Sequence, residues 1–251
     1  MKANRAGLFK TRAAAALAVM AAASPCHSGP PYTTDDPEPT PDGHWENRVF
    51  VSGEQTPGQT SGQTGLDINY GGAKDLQLTL LAPLDYASGG QDALGLGNMQ
   101  VSAKYRFIHQ SEHGLTPDVA VFPALTLPTQ AHAFGPARLG LFLPIWAQKD
   151  FGAWSMFGGG GYDINPGPGR RDFTLAGWAL TRQVSKRLNL GVEVYHQTPD
   201  MTGGKALTAV AGGVVLQLTS HVALMASGGP AVQGARDAGQ AVFYAALQYT
   251  N

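Results

Sequence analysis

From residue 43 to residue 251 the chain is a succession of segments of about ten residues in which apolar and polar side chains alternate, each closed by Gly, Pro, Asp or Asn. Residues 98–107 show the pattern most clearly. Met99, Val101, Ala103, Tyr105 and Phe107 fall on one face, and Asn98, Gln100, Ser102, Lys104 and Arg106 on the other. Side chains of a strand point alternately to opposite faces, so such a segment places one face in an apolar medium and the other in water. Soluble sandwiches alternate too. What separates the possibilities is the number of repeats and the segment that precedes them.

That segment reads as an export signal. Lys2, Arg5, Lys10 and Arg12 are followed by an apolar stretch from Ala13 to Ala23 and then by small residues suited to signal peptidase. The stretch is shorter than the about 20 residues a transmembrane helix needs, and no later stretch is long enough without polar interruption. Cleavage after Ala23 and after Ser28 both fit the small-residue rule; the later boundary gives a signal of residues 1–28. Pro25 stands immediately before Cys26, which argues against lipid attachment there. With one cysteine in the whole chain, no intramolecular disulfide framework can form.

Seventeen basic against eighteen acidic residues give a formal charge of −1, and the signal holds four of the basic and none of the acidic ones, leaving −5 for the remainder. A mildly acidic chain with scattered Lys and Arg lacks the basic stripe that nucleic-acid binding requires. Residues 29–42 form a separate lead rich in acid and proline. Pro30, Pro31, Pro37, Pro39 and Pro41 each lack the amide proton that a ladder uses, so an extended, non-ladder segment on the periplasmic side is expected.

Residues 43–251 hold about twelve candidate strands. Alternation is good in the second, third, fourth, ninth and twelfth and blurred in the fifth through eighth. The connections add a second rhythm: 55–63, 87–97, 128–137, 165–170, 198–205 and 230–239 are long, while 72–74, 149–152, 185–186 and 219–220 are short, with 109–116 the exception. Short turns at one end and long loops at the other, behind an export signal, are the marks of a bacterial outer-membrane barrel. The expected fold is all-β: a transmembrane, antiparallel up-and-down β-barrel of about twelve strands, a monomer in the outer membrane of a Gram-negative bacterium.

The lead and first strand, Gly29-Pro30-Pro31-Tyr32-Thr33-Thr34-Asp35-Asp36-Pro37-Glu38-Pro39 followed by His44-Trp45-Glu46, resemble the opening of a family of outer-membrane barrels labelled "meta-pathway of phenol degradation". Asp75-Leu76-Gln77-Leu78-Thr79, Gly97-Asn98-Met99-Gln100-Val101, Lys104-Tyr105-Arg106-Phe107 and Pro123-Ala124-Leu125-Thr126-Leu127-Pro128-Thr129 continue the likeness. The resemblance implies handling of aromatic compounds and supplies no catalytic residues. Barrels of this kind usually end on an aromatic residue read by the assembly machinery; here Tyr249 is followed by Thr250 and Asn251.

Alternation assigns Glu46, Arg48, Asp67, Lys104, Arg106 and Glu193 to the lumen. Both signs occur, and buried charges must be paired or hydrated, so a salt-bridged, wet interior without strong ion selectivity is expected. Asp35, Asp36 and Glu38 could enter the lumen as a plug against Arg48, Lys104 or Arg106; three acids fall short of a calcium site, which wants six to eight oxygens, about twice that number. No metal or cofactor is expected. The Gly158–Gly161 run and Gly203-Gly204-Lys205 do not fit a phosphate loop, because neither continues as Lys followed by Ser or Thr; strand curvature or a bulge accounts for them. Trp45, Tyr70, Tyr86, Tyr105, Phe107, Trp146, Phe151, Trp154, Tyr162, Phe173 and Tyr249 read as interfacial girdles.

The functional expectation is passive passage of small, hydrophobic or aromatic molecules, with outer-membrane lipid and the barrel-assembly machinery as partners. A structural or sensing barrel without flux is the alternative. A lipid-modifying hydrolase using His109 and Ser111 is a third reading, which lacks an evident base and orienting partner in the sequence.

Overall fold

The computed structural model describes residues 31–233 and 239–251. The expected signal, Gly29, Pro30 and part of the 230–239 connection lie outside the described residues. The strands are β1 (Trp45–Thr56), β2 (Gln59–Ala73), β3 (Leu76–Ser88), β4 in two pieces (Ala93–Leu96 and Gln100–Ile108), β5 in two pieces (Asp118–Val121 and Ala124–Thr126), β6 (Gly140–Phe151), β7 (Trp154–Ile164), β8 (Phe173–Ser185), β9 (Leu188–Gln197), β10 (Leu207–Gln217), β11 (Val222–Gln233) and β12 (Ala241–Thr250).

Both pieces of β4 pair with β3, and both pieces of β5 lie between β4 and β6, so the wall has twelve staves. Every pairing is antiparallel between consecutive strands, and β1 also pairs with β12 from Glu46↔Thr250 to Gln55↔Ala241. That last ladder closes the barrel and removes both sheet edges. The two residues after Tyr249 extend the seam: Trp45 N–H donates to Asn251 Oδ1 at 2.8 Å, and Asn251 N–H donates to the Trp45 carbonyl at 3.2 Å.

Alternation sorts side chains as the sequence pattern predicts. In β4, Val101, Tyr105 and Phe107 are exposed on the outer face while Gln100 and Lys104 are buried inside; in β9, Leu190, Val192 and Val194 face out and Glu193 and Tyr195 face in. A continuous belt of exposed Val, Leu, Ile and aromatic residues in water would be an aggregation surface; in a bilayer it is the part that hydrocarbon solvates. No helix among the described residues is long and apolar enough to cross a membrane.

Four expectations change. The long 55–63 connection is a two-residue turn, Pro57-Gly58, with Gly58 in the left-handed region at φ 79°. Residues 59–63 are polar on both faces and still form strand, pairing through Thr56↔Gln59 and Thr60↔Ser88, because a strand end beyond the apolar band has water on both sides. The blur in the fifth to eighth strands has a different cause: their inward face is apolar. Phe142 and Trp146 of β6, Phe157 of β7 and Phe173, Leu175 and Ala179 of β8 are buried in the interior. Trp146 and Phe173 are therefore core residues and not part of the girdle, whereas Trp45, Tyr105, Phe107, Trp154 and Tyr249 are exposed outside. Finally, Gly158–Gly161 keeps regular register with both neighbours, so no bulge forms there. Instead the missing side chain at Gly159 leaves room for the Trp146 ring.

Candidate functional site

The interior has two unlike halves. Strands β1 to β4 present mostly charged and amide side chains, with Phe50 and Leu81 among them, and strands β6 to β9 mostly aromatic and aliphatic ones, with Glu193 and Asp163 among them and with Trp146, Phe142, Leu175 and Tyr195 in one buried cluster. Residues 31–42 cross between them. Asp42 bridges to Gly71, and Gly43 N–H donates to the Gly71 carbonyl at 2.8 Å, at the end where the chain enters β1. Thr40 then donates from its backbone N–H and its hydroxyl to Gln77 Oε1 at 2.8 and 2.9 Å. Farther on, Lys104 Nζ lies 3.0 Å from Asp35 Oδ1 and 3.7 Å from Asp36 Oδ1, and donates to the Glu38 carbonyl at 3.4 Å. The backbone N–H groups of Thr33 and Thr34 both donate to the Glu193 carboxylate, the first at 3.1 Å, and the Ser227 hydroxyl donates to the Pro31 carbonyl.

Proline makes this strap workable. An extended chain without ladder partners must satisfy each of its amide protons, and prolines at 31, 37, 39 and 41 have none to satisfy. The far wall makes room by having no side chains where the strap lies. A Cβ at Gly177 would strike the Thr34 hydroxyl, one at Gly191 the Tyr32 hydroxyl, and one at Gly213 the Tyr32 ring. Tyr32 packs against Phe157 with ring centroids 6.0 Å apart and is buried with it and Ala179.

The six lumen residues read from the sequence do not form one site. Arg48 Nη1 meets Asp67 Oδ2 at 2.7 Å, Arg48 Nη2 meets Glu46, and Arg48 Nε donates to Gln248 at 2.8 Å. Lys104 and Glu193 meet the strap. Arg106 instead turns to the barrel end, 3.0 Å from Asp75 and 3.5 Å from Asp118. Asp75 is the one non-glycine residue with positive φ among the described residues, at 63°, and Arg106 beside it braces that two-residue turn. Of the three strap acids, Asp35 is buried, Asp36 half-buried and Glu38 exposed to the interior space. Burial pushes the Asp35 carboxyl up to about 6, against the pull of Lys104.

A cavity of about 940 Å³, counted with its open mouth, lies against the strap. Asp35, Asp36, Glu38, Arg48, Asn69 and Lys104 are among its polar lining, and Phe50, Leu81, Phe122, Phe142, Trp146 and Tyr244 among its apolar lining. At the long-loop end, Gln130 donates to Asp85 at 3.1 Å and pairs with Asn98, while Arg138 donates to Asn165 at 2.8 Å beside the buried Asp163. The 127–139 connection is thereby tied down at the barrel mouth.

Several of these residues carry no mark in the sequence. Gln77 and Asn69 could be found from inward phase alone, but Tyr32, Thr33, Thr34 and the glycines at 177, 191 and 213 are joined only by the fold. The hydrolase pair is not assembled: His109 Nε2 faces Asp75 Oδ2 at 3.0 Å, and Ser111 Oγ is buried with no hydrogen-bond partner. Among the described residues no three His, Cys, Asp or Glu side chains are grouped to hold a metal ion.

A closed twelve-stranded wall with an apolar outer belt and a part-polar interior defines a transmembrane β-barrel of the outer-membrane type. The chain belongs to the family described as "Putative MetA-pathway of phenol degradation", whose model matches residues 48–244. No curated protein matches it in sequence. In fold it is similar to an outer membrane channel from Pseudomonas putida F1, at a TM-score of 0.67 and 16% identity, covering 86% of this chain and 97% of that one. It is also similar to the NanC porin, at a TM-score of 0.54 and 9% identity over 82% of this chain and 99% of that one. The translocator domain of the autotransporter NalP from Neisseria meningitidis follows at 0.50 and 12%, over 84% and 89%.

Proposed function

We propose that this protein is a monomeric channel of the Gram-negative outer membrane through which small hydrophobic or aromatic molecules pass without energy input. The observation that carries the reading is the cavity: an open-mouthed space of about 940 Å³ in the barrel interior, lined by six apolar or aromatic side chains as well as by polar ones. A passenger with a ring and one polar group finds apolar contact and hydrogen-bond partners within the same space. Asp35, Asp36 and Glu38 belong to an internal plug, the strap of residues 31–42, which has to shift for passage. The channel readings of the P. putida F1 protein and the NanC porin, carried over by fold and family, support the same assignment.

A barrel without flux is the second reading, and one observation favours it: the strap is latched by a buried ion pair as well as by hydrogen bonds. An enzymatic role has no support in the His109 and Ser111 geometry. Uptake separates the readings. Cells producing the protein should accumulate a radiolabelled phenol, supplied at limiting concentration, faster than cells lacking it; equal rates would sink the passage reading in favour of a closed barrel.

A further inference from the structure

The interior carries more negative than positive charge, and its cations are already engaged. Five carboxylates line the cavity, Asp35, Asp36, Glu38, Glu46 and Asp67, against two cations, Arg48 and Lys104. Arg48 is held between Glu46 and Asp67, and Lys104 between Asp35 and Asp36. Glu38 faces the space with no ion-pair partner among the described residues. The surplus continues along the lumen. Glu193 is met by the backbone N–H groups of Thr33 and Thr34, and Asp85 by the side-chain amides of Gln63 and Gln130. Neutral donors satisfy a carboxylate's lone pairs and leave its charge uncancelled.

The six lumen charges legible in the sequence balance, three acids against three bases, which is why alternation alone points to a non-selective interior. The excess comes from the strap, whose place in the lumen no periodicity encodes, and from Asp85, which shares the inward phase of Gln77 on β3. In a narrow space with low-dielectric walls, charge of one sign concentrates counter-ions and repels co-ions.

From this arrangement we infer that the lumen is cation-selective, and that aromatic passengers cross as neutral or positively charged molecules while aromatic carboxylates and phenolates are rejected. The inference rests on the passage reading above. An anion entering the cavity meets two cations already paired with protein carboxylates, and it must lie within reach of Glu38. A phenol or an aromatic amine meets the aromatic wall and a surplus of acceptors.

Reversal potentials of the full mature protein in planar bilayers under a potassium chloride gradient test this. At about 0.1 M salt, potassium should permeate over chloride by on the order of tenfold. The ratio should fall toward unity at about 1 M, where the Debye length shrinks to about 3 Å. Replacing two strap acids together, Asp36→Asn and Glu38→Gln, should lower the ratio about twofold or more without stopping the current, because Asp36 is partly exposed, Glu38 is exposed and neither is in the wall. A wild-type ratio at or below one, with current flowing, overturns the selectivity and leaves passage standing. An unchanged ratio in the double variant overturns the assignment to the strap acids. Absence of any current in wild type and variant alike overturns the passage reading and takes the selectivity with it.

Discussion

Lys104 and Asp35 lie 69 positions apart in sequence and form a buried contact of 3.0 Å, with side chains 5% and 3% exposed. An ion pair this dry is worth less than its Coulomb attraction suggests, because both charges have left water; removing one partner is what costs most. Lys104→Met should therefore weaken docking of the strap by about 3–5 kcal/mol, leaving Asp35 buried and unpaired. Greater protease cleavage of the strap, with the barrel itself intact on unheated gels, is the expected readout. The glycines opposite are the second hold. Gly213→Val puts a branched side chain where the Tyr32 ring lies, and should eject the strap without unfolding the wall, since Val suits a strand.

Protonation acts on the same contact. Asp35 has a docked pKa raised from 3.8 to about 6 by burial. A carboxyl that is easier to protonate when docked favours docking in its neutral form, so the contribution is fully present below pH 3.8 and is lost as pH rises through about 6. A nitroxide label at Glu38→Cys should gain mobility across that interval and change little above it. Asp35→Asn should flatten the profile; an unaltered profile in that variant would assign the titration elsewhere. Sequence phase finds Lys104 and Glu193 as inward residues but not their partners, which come from a proline-rich segment with no period to read.

Among the strands, β5 is the exception. Its two pieces have four and three residues, separated by Phe122 and Pro123, while its neighbour β6 has twelve. Pro123 has no amide proton to give either side, and Phe122 N–H reaches the Pro144 carbonyl only at 3.3 Å. Amide hydrogen exchange in detergent should be fastest at the β4–β5–β6 junction and slowest at β1–β2, where twelve consecutive residue pairs are in register. Uniform protection around the wall would contradict this. Strand positions were legible because the outer faces carry an apolar belt; the inward faces of β6 to β8 were not, since Phe142, Trp146, Phe157 and Phe173 bring apolar side chains there as well. A barrel with a greasy half-lumen loses the contrast on which alternation depends.

At the scale of the whole molecule, a wall of twelve strands encloses less than the open channels of sixteen or more and more than the packed interiors of about eight. The strap and the tied 127–139 loop narrow what is left around a cavity lined in part by aromatic side chains. Closure, strand number and the seam between β1 and β12 follow from counting segments and from the alternation of long and short connections. The crossing of the strap does not, because it depends on three glycines in three strands arriving opposite one tyrosine and one threonine.

Passage requires a path through the barrel that residues 31–40 obstruct when docked. Single-channel recording of the mature protein beside a variant lacking residues 31–40 tests this most directly. The complete protein should show a small or intermittent conductance and the shortened one larger, steadier steps. Identical conductance in the two, or none in either while both migrate as folded barrels, would contradict it.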